Sequence, residues 1–190
     1  MINKIKYINH LIKSNLPTNE YIIVNSAWLA LLGIRTNGDL NLIISQSLWK
    51  KYFNKKDINK SFGLPGEYEN RIRVHAQNGP YTCLDKKITN DELVYEHSIK
   101  IDGYRFIEPR FYFEYKRLRF NKIKLKYFLL PWFRRNKIFC KLEEKKIIVK
   151  YCKDRDDFKM LKKYFMHKKH ENTQLSHLDM NLWGLNYIDM

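Results

Sequence analysis

Two oxygen-bearing side chains, Asp39 and Asn41, stand two positions apart in an apolar run at residues 39 to 44 that is typical of a buried strand. Side chains at this spacing on a strand point to the same side, so their oxygens would lie together. Carboxylate and amide oxygens are hard ligands that Mg²⁺ accepts. The spacing therefore predicts a metal site at Asp39 and Asn41, with Mg²⁺ as the candidate cofactor.

A phosphate-binding turn is predicted beside this pair. Asn25 and Ser26 follow a short apolar run and precede a predicted helix, and the free N–H groups at the start of a helix accept phosphate oxygens. Arg35, just before the second strand, could hold a leaving phosphate with its cationic fork. These residues together predict a nucleoside triphosphate, bound with Mg²⁺, as the substrate.

The elements that must position these residues follow from apolar spacing and turn signals. Helical periodicity predicts a helix over residues 3 to 15, and the apolar run at 21 to 24 predicts a strand. A helix over 27 to 32 would close at Gly33, and the second strand would cover 39 to 44. Ser45 is expected to cap a further helix that runs to about residue 52.

The later segments supply a third strand and several helices. Residues 71 to 75 alternate strictly, which predicts a strand with Arg73 and His75 on one face, either as phosphate-binding residues or as a solvated surface. A capping-box pattern at 89 to 92 predicts a helix toward 98. A hairpin is expected around 102 and 103, and helices at 109 to 120, 122 to 130 and 154 to 170.

The first block of residues resembles the DNA polymerase β-like nucleotidyltransferases, including their small bacterial members. Those proteins carry a Gly-Ser turn after a first strand, then a helix, and then an Asp-x-Asp pair on the next strand. Here Asn25-Ser26 stands at the turn, Gly33-Ile34-Arg35 precedes the strand, and Asp39-Leu40-Asn41 is the pair. A weaker second match is Asp102-Gly103-Tyr104-Arg105-Phe106, followed by Lys116.

The resemblance covers roughly residues 18 to 130 and implies an α/β (α+β) fold with a nucleotidyltransferase-type mixed β-sheet flanked by helices. We expect this domain to occupy residues 1 to 130, with helix 3 to 15 packed on it. Residues 131 to 190 would form a C-terminal helical extension and a packed tail. The implied activity is transfer of a nucleotidyl group to an unknown acceptor, with Asp39 and Asn41 as catalytic residues and Lys116 as a nucleotide-binding residue.

Three departures from the family pattern predict impaired catalysis. Asn25 replaces a glycine, although asparagine tolerates a left-handed backbone. Asn41 replaces a carboxylate, and the strand that should carry the third carboxylate offers Arg73 and His75 instead, with Glu69 at its start as the remaining carboxylate. Two divalent cations about 4 Å apart need carboxylates to offset their repulsion. A charge pair at that distance is worth on the order of 4 kcal/mol near a protein surface, so the second metal should bind weakly.

Composition keeps a different class of function open. The net charge is +16, which favours polyanionic partners, unless the excess lysine merely reflects an AT-rich coding sequence. Residues 112 to 137 interleave aromatic and cationic side chains, as nucleic-acid surfaces do, but also as an amphipathic helix core does. The alternative to an enzyme is therefore a non-catalytic nucleic-acid-binding protein or a toxin–antitoxin-like interaction protein that forms an oligomer through its C-terminal helix.

The cysteines and the apolar runs suggest a compartment. Three cysteines without a CxxC pair indicate reduced thiols rather than a disulfide framework. No apolar run approaches the roughly 20 residues that span a bilayer. We therefore expect a cytoplasmic protein without membrane insertion.

Overall fold

The computed structural model of the chain describes residues 2–52, 72–75, 88–136 and 141–170. Its centre is a mixed five-stranded sheet with the strand order β3-β2-β1-β5-β4. The strands are β1 (Tyr21–Val24), β2 (Leu40–Ile44), β3 (Ile72–His75), β4 (Ser98–Ile101) and β5 (Tyr104–Ile107). The expected α/β class with a mixed sheet and flanking helices is therefore confirmed.

Helices make up most of the remaining described chain. They are α1 (Ile8–Lys13), α2 (Ala27–Leu31), α3 (Gln46–Tyr52), α4 (Asn90–Tyr95), α5 (Pro109–Phe128), α6 (Leu130–Arg135) and α7 (Lys141–His170). A short 3-10 helix, Ile2–Lys4, precedes α1. No helix in the described ranges combines the length and the apolar character needed to cross a bilayer.

The first helix differs from the sequence prediction. Residues 3 to 15 do not form one helix, because Tyr7 takes a left-handed backbone with φ of 69° and separates the 3-10 helix from α1. Ile5, Ile8 and Leu11 are nevertheless buried. The apolar spacing thus predicted most of the side chains that enter the core, although Ile12 of the same pattern is exposed, and it predicted wrongly that one continuous helix carries them.

Strand pairing fixes which ends of the strands meet. β1 and β2 are antiparallel, with Val24 opposite Asn41. β2 and β3 are parallel, with Asn41 opposite Arg73. The turn that follows Val24 therefore lies at the strand end where Asp39 enters β2, and the predicted third strand is the direct neighbour of β2.

Helices cover both faces of the sheet. The Trp28 ring of α2 packs 5.6 Å from the Phe106 ring, while the Arg105 guanidinium donates to the Val94 carbonyl of α4 at 3.1 Å. Since neighbouring strand residues point to opposite faces, α2 and α4 lie on opposite sides. This explains why β1 and β2 are buried along their whole length and read as continuous apolar runs.

The long helices α5 and α7 pack against each other in antiparallel fashion. Phe113 lies 5.5 Å from Phe158 near one end, and Tyr127 stacks 4.1 Å from Tyr151 near the other. The two helices predicted at 109 to 120 and 122 to 130 are one continuous helix in the structure. Leu161 of α7 reaches the main core. The division of the chain into domains at residue 130 stays a prediction, and the tail from 171 to 190 lies outside the described residues.

Local turn chemistry confirms several expected boundaries. Thr89 and Glu92 form the predicted capping box at the start of α4. The Ser45 hydroxyl accepts from the Leu48 N–H at 3.1 Å and so caps α3. Asp102 and Gly103 both have positive φ, as a tight hairpin turn between β4 and β5 requires.

Candidate functional site

The turn after β1 has the backbone conformation that its sequence predicts. Asn25 has a φ of 62°, so it takes the left-handed conformation that asparagine tolerates better than most residues. Its carbonyl accepts from the Trp28 N–H at 3.2 Å, which starts α2. Ser26 occupies the N-cap position, and its side chain makes no capping hydrogen bond. The Asn25 side-chain oxygen is buried without a hydrogen-bond donor among the described residues.

Asn41 and His75 form a direct contact across the β2–β3 pair. The His75 Nε2 lies 3.1 Å from the Asn41 Oδ1, and because a carbonyl oxygen only accepts, the imidazole nitrogen is the donor. Burial lowers the pKa of His75, and the charge of Arg73 lowers it further. The imidazole is therefore neutral at pH 7 and holds the Asn41 amide in place.

Asp39 lies just before β2 and faces Arg73 of the edge strand. The Arg73 Nε is 3.6 Å from the Asp39 Oδ2, and 59% of the Arg73 side chain is exposed. At this distance the contact is an ion pair rather than a hydrogen bond. An arginine thus approaches Asp39 from β3, the strand on which a third carboxylate is expected from the sequence.

Arg35 is held by Asp157 of α7. Its Nε and Nη2 donate to the two carboxylate oxygens of Asp157 at 2.6 and 2.8 Å, the bidentate geometry in which arginine binds carboxylates best. This hydrogen bonding raises the pKa of Arg35, and the charge of Asp39 acts in the same direction. Arg35 therefore lies within electrostatic range of the Asp39 site while it is anchored to α7.

Lys116 shares the same carboxylate. Its Nζ lies 2.6 Å from the Asp157 Oδ2, and only 5% and 2% of the two side chains are exposed. Burial lowers the pKa of Lys116 despite the opposing attraction of Asp157. Burial alone would raise the pKa of Asp157, but the hydrogen bond from Arg35 and the charge of Lys116 outweigh it, so the pKa lies below its usual value.

A parallel contact between the same helices lies one turn away. Arg119 of α5 donates to the Asp154 Oδ2 at 2.7 Å and to the Tyr115 hydroxyl at 3.0 Å. Asp154 is fully buried on α7. The α5–α7 contact therefore has two buried acidic residues one turn apart on α7, each paired with cations of α5 or of the loop after α2.

Sequence reasoning did not identify Asp157, although a signal was available. Asp154, Asp157, Phe158 and Leu161 recur at helical spacing on one face of α7. Acidic residues within an apolar stripe indicate buried charges, which need cationic partners. The sequence does not say which cations those are.

The structure brings the predicted site residues into two groups of contacts. In the first, Asn25 and Ser26 lie at the strand end where β2 begins, Arg73 pairs with Asp39, and His75 contacts Asn41. In the second, Arg35 and Lys116 share the carboxylate of Asp157, and the charge of Asp39 acts on Arg35. The roles assigned to these residues in nucleotide and metal binding stay predictions.

The charges of the region favour anions over cations. Two carboxylates, Asp39 and Asp157, stand against three cations, Arg35, Arg73 and Lys116, with His75 neutral. Within the described ranges, no group of three or more His, Cys, Asp or Glu side chains could hold a metal ion. Asp39 and Asn41 alone could supply two oxygens to a Mg²⁺ ion, and the Asn41 oxygen already accepts from His75.

Comparison with models of known protein families, with curated proteins and with solved structures finds no match to this chain.

Proposed function

We propose that the chain binds a nucleoside triphosphate with one Mg²⁺ ion beside the turn at Asn25 and Ser26. The structural observation that carries the proposal is the register of β1 and β2. It sets Val24 opposite Asn41, so the turn follows β1 at the end of the sheet where β2 begins with Asp39 just before it. Arg73 of β3 adds a cation at the same edge. Nucleotidyl transfer to an acceptor is the activity that the sequence resemblance adds to this geometry.

The phosphate groups would bind where positive charge meets the start of α2. The Trp28 N–H already donates to the Asn25 carbonyl, so only the other N–H groups of the first turn, which have no partner within the helix, would be offered to phosphate. The helix has only five residues, so its dipole contributes little and individual N–H groups matter more. Arg73, which is largely exposed, can turn toward a phosphate and form two charge-assisted hydrogen bonds with it.

The charge balance sets how much catalysis this region can support. Mg²⁺ would enter with the triphosphate, and Asp39 with Asn41 would be its protein ligands. When bound, the ion neutralises phosphate charge. Transfer would form a bond from the acceptor oxygen to the α-phosphorus and break the bond to pyrophosphate. Because a single carboxylate, paired with Arg73, replaces the several carboxylates that two metal ions need, we propose that transfer is slow although the nucleotide binds.

Two of the aromatic residues behind the nucleic-acid alternative are used inside the protein. Phe120 packs 5.9 Å from Tyr151, and Tyr127 stacks directly on Tyr151. Rings that stack between α5 and α7 are not available to stack on bases. Phe128 and Trp132 of the same segment are exposed, so Phe120 and Tyr127 alone weaken the nucleic-acid hypothesis.

Calorimetry with each of the four nucleoside triphosphates, with and without Mg²⁺, tests the proposal. We expect saturable binding of at least one triphosphate that strengthens with Mg²⁺. Arg73→Gln should weaken it by roughly tenfold, because a charge-assisted hydrogen bond contributes about 1.5 kcal/mol or more. Arg110→Gln is the matched control, since Arg110 is also about half exposed and also pairs with a carboxylate, that of Glu108.

Two results would contradict the proposal. One is the absence of heat for all four triphosphates in both conditions. The other is equal weakening by Arg73→Gln and Arg110→Gln, which would show that any cation on the surface serves as well. Asp39→Asn should remove the strengthening by Mg²⁺ without abolishing metal-free binding.

A further inference from the structure

The helical path through α5 and α6 carries apolar side chains on two opposite sides. On one side Ile123 and Leu130 are buried and Tyr127 stacks on Tyr151 of α7. On the other side four apolar residues are 40–63% exposed, and we name them the exposed stripe: Leu125, Phe128, Leu129 and Trp132. Packing against α7 explains the apolar residues on the first side but not the exposed stripe.

The exposed stripe forms a single surface. Its members are spaced i, i+3, i+4 and i+7, which places them along one helix face. The path stays helical where α5 passes into α6, because the Leu129 N–H donates to the Leu125 carbonyl at 3.1 Å and the Phe133 N–H donates to the Leu129 carbonyl at 3.0 Å. Four apolar side chains in a row leave a contiguous apolar patch toward solvent.

Cations border the exposed stripe on both sides. At 100° per residue, Lys122 and Lys126 fall on one flank, and Lys124 and Arg135 on the other, and all four are exposed. The Lys124 Nζ lies 5.9 Å from the Phe128 ring centroid. The sequence holds no Asp or Glu between Glu114 and Glu143, so no acidic side chain of this segment offsets the charge.

We propose that the exposed stripe docks on an anionic membrane surface and lies in the plane of the lipid headgroups. Leucine, phenylalanine and tryptophan on one helix face with lysine and arginine along its edges is the composition of helices that bind at such interfaces. The apolar side chains would enter the boundary between headgroups and acyl chains. The flanking cations would meet the lipid phosphates, as charge complementarity requires.

Other occupants fit the exposed stripe less well. Two of its four members are leucines, which cannot stack on nucleic-acid bases. A second copy of the chain would bring the same cations against each other, and like charges in contact oppose association. An anionic lipid surface satisfies the apolar and the cationic residues together.

Vesicle flotation of the full chain tests the proposal. We expect the protein to float with phosphatidylcholine vesicles that contain phosphatidylglycerol, to remain unbound with phosphatidylcholine alone, and to be released by high salt. Phe128→Ser with Trp132→Ser should weaken binding at least about tenfold, since two large apolar side chains no longer enter the lipid. Ile12→Ser, which removes an exposed apolar residue of α1, should leave binding unchanged.

Two further measurements locate the contact. Lys124→Gln with Lys126→Gln should weaken binding by roughly fivefold for each lysine removed. In a Trp183→Phe background, brominated lipids should quench the fluorescence of Trp132, because Trp28 and Trp49 are buried in the core. Far-UV circular dichroism checks that each variant keeps its helices.

Three outcomes would overturn the proposal. The first is failure to float with vesicles of either composition. The second is equal binding to both compositions, which would remove the role of the cations. The third is a dimer or an oligonucleotide complex that the Phe128→Ser, Trp132→Ser variant loses while vesicle binding persists, since the exposed stripe would then serve that partner instead.

Discussion

Replacing Asp157 should destabilise the fold strongly, because two cations depend on its carboxylate. Asp157→Asn leaves Lys116 buried without a counter-charge, while Arg35 is partly exposed and can reach water. Removing one partner of a buried pair costs about 3–5 kcal/mol. The asparagine oxygen can still accept one hydrogen bond, so we expect the lower end of that range. In a chain of this size, about 3 kcal/mol lowers the Tm by roughly 6–12 °C.

Urea and thermal unfolding followed by circular dichroism measure this effect. The neighbouring residue supplies the control, since Asp156 pairs with Arg155 at the surface with about half of its side chain exposed. Asp156→Asn should change stability by less than about 0.5 kcal/mol. The double variant Lys116→Met, Asp157→Leu should recover part of the loss, because apolar residues of similar volume often replace a buried ion pair without cost.

Acid unfolding provides a second test of how much the Asp157 carboxylate contributes to stability. The pKa of Asp157 in the folded protein lies below its usual value. Its contribution is therefore complete above the unfolded pKa of about 3.9 and is lost as the pH falls through the lower folded value. Asp157→Asn should flatten the stability profile in that window. An Asp157→Asn variant as stable as Asp156→Asn would refute the reasoning about buried charge.

Three smaller effects follow from single contacts. Burial lowers the pKa of His75, so the free energy of unfolding should rise with pH up to about 6.5. His75→Gln should remove that rise in urea titrations, and an unchanged pH profile in the variant would contradict this expectation. Asn25→Gly should preserve the thermal stability of the turn and Asn25→Val should reduce it by about 1 kcal/mol or more, since φ is positive there; equal Tm values would contradict the strain argument. Thr89→Ala removes the capping box of α4 and should cost about 1 kcal/mol in urea unfolding; no loss would mean that the cap is redundant.

Local sequence signals predicted the elements around the site well. Apolar runs and turn residues predict the strand at 21 to 24 and the helix after it, because a central strand buried on both faces appears in the sequence as a continuous apolar run. Gly33 takes the positive φ expected where it closes α2. The left-handed Tyr7 could not be foreseen, since tyrosine carries no preference for that conformation.

The sequence does not indicate which distant residues pair with the predicted site residues. In the sequence, Arg35 and Lys116 each resemble a free cation that could bind a phosphate. Only the fold shows that the Asp157 carboxylate of α7 binds both. The identity of such a partner depends on how α5 and α7 cross, which no local pattern records. The register that joins Asn41 to His75 depends on strand order in the same way.

The histidine at the candidate site offers the most direct test of the account. His75 can be observed by NMR through its ring proton resonances, assigned with the His75→Gln variant, while a nucleoside triphosphate and Mg²⁺ are added. We predict a saturable shift of the His75 signals, because the Mg²⁺ ion would bind the Asn41 oxygen that His75 contacts. Nucleotide binding that leaves the His75 signals unchanged would contradict the central claim.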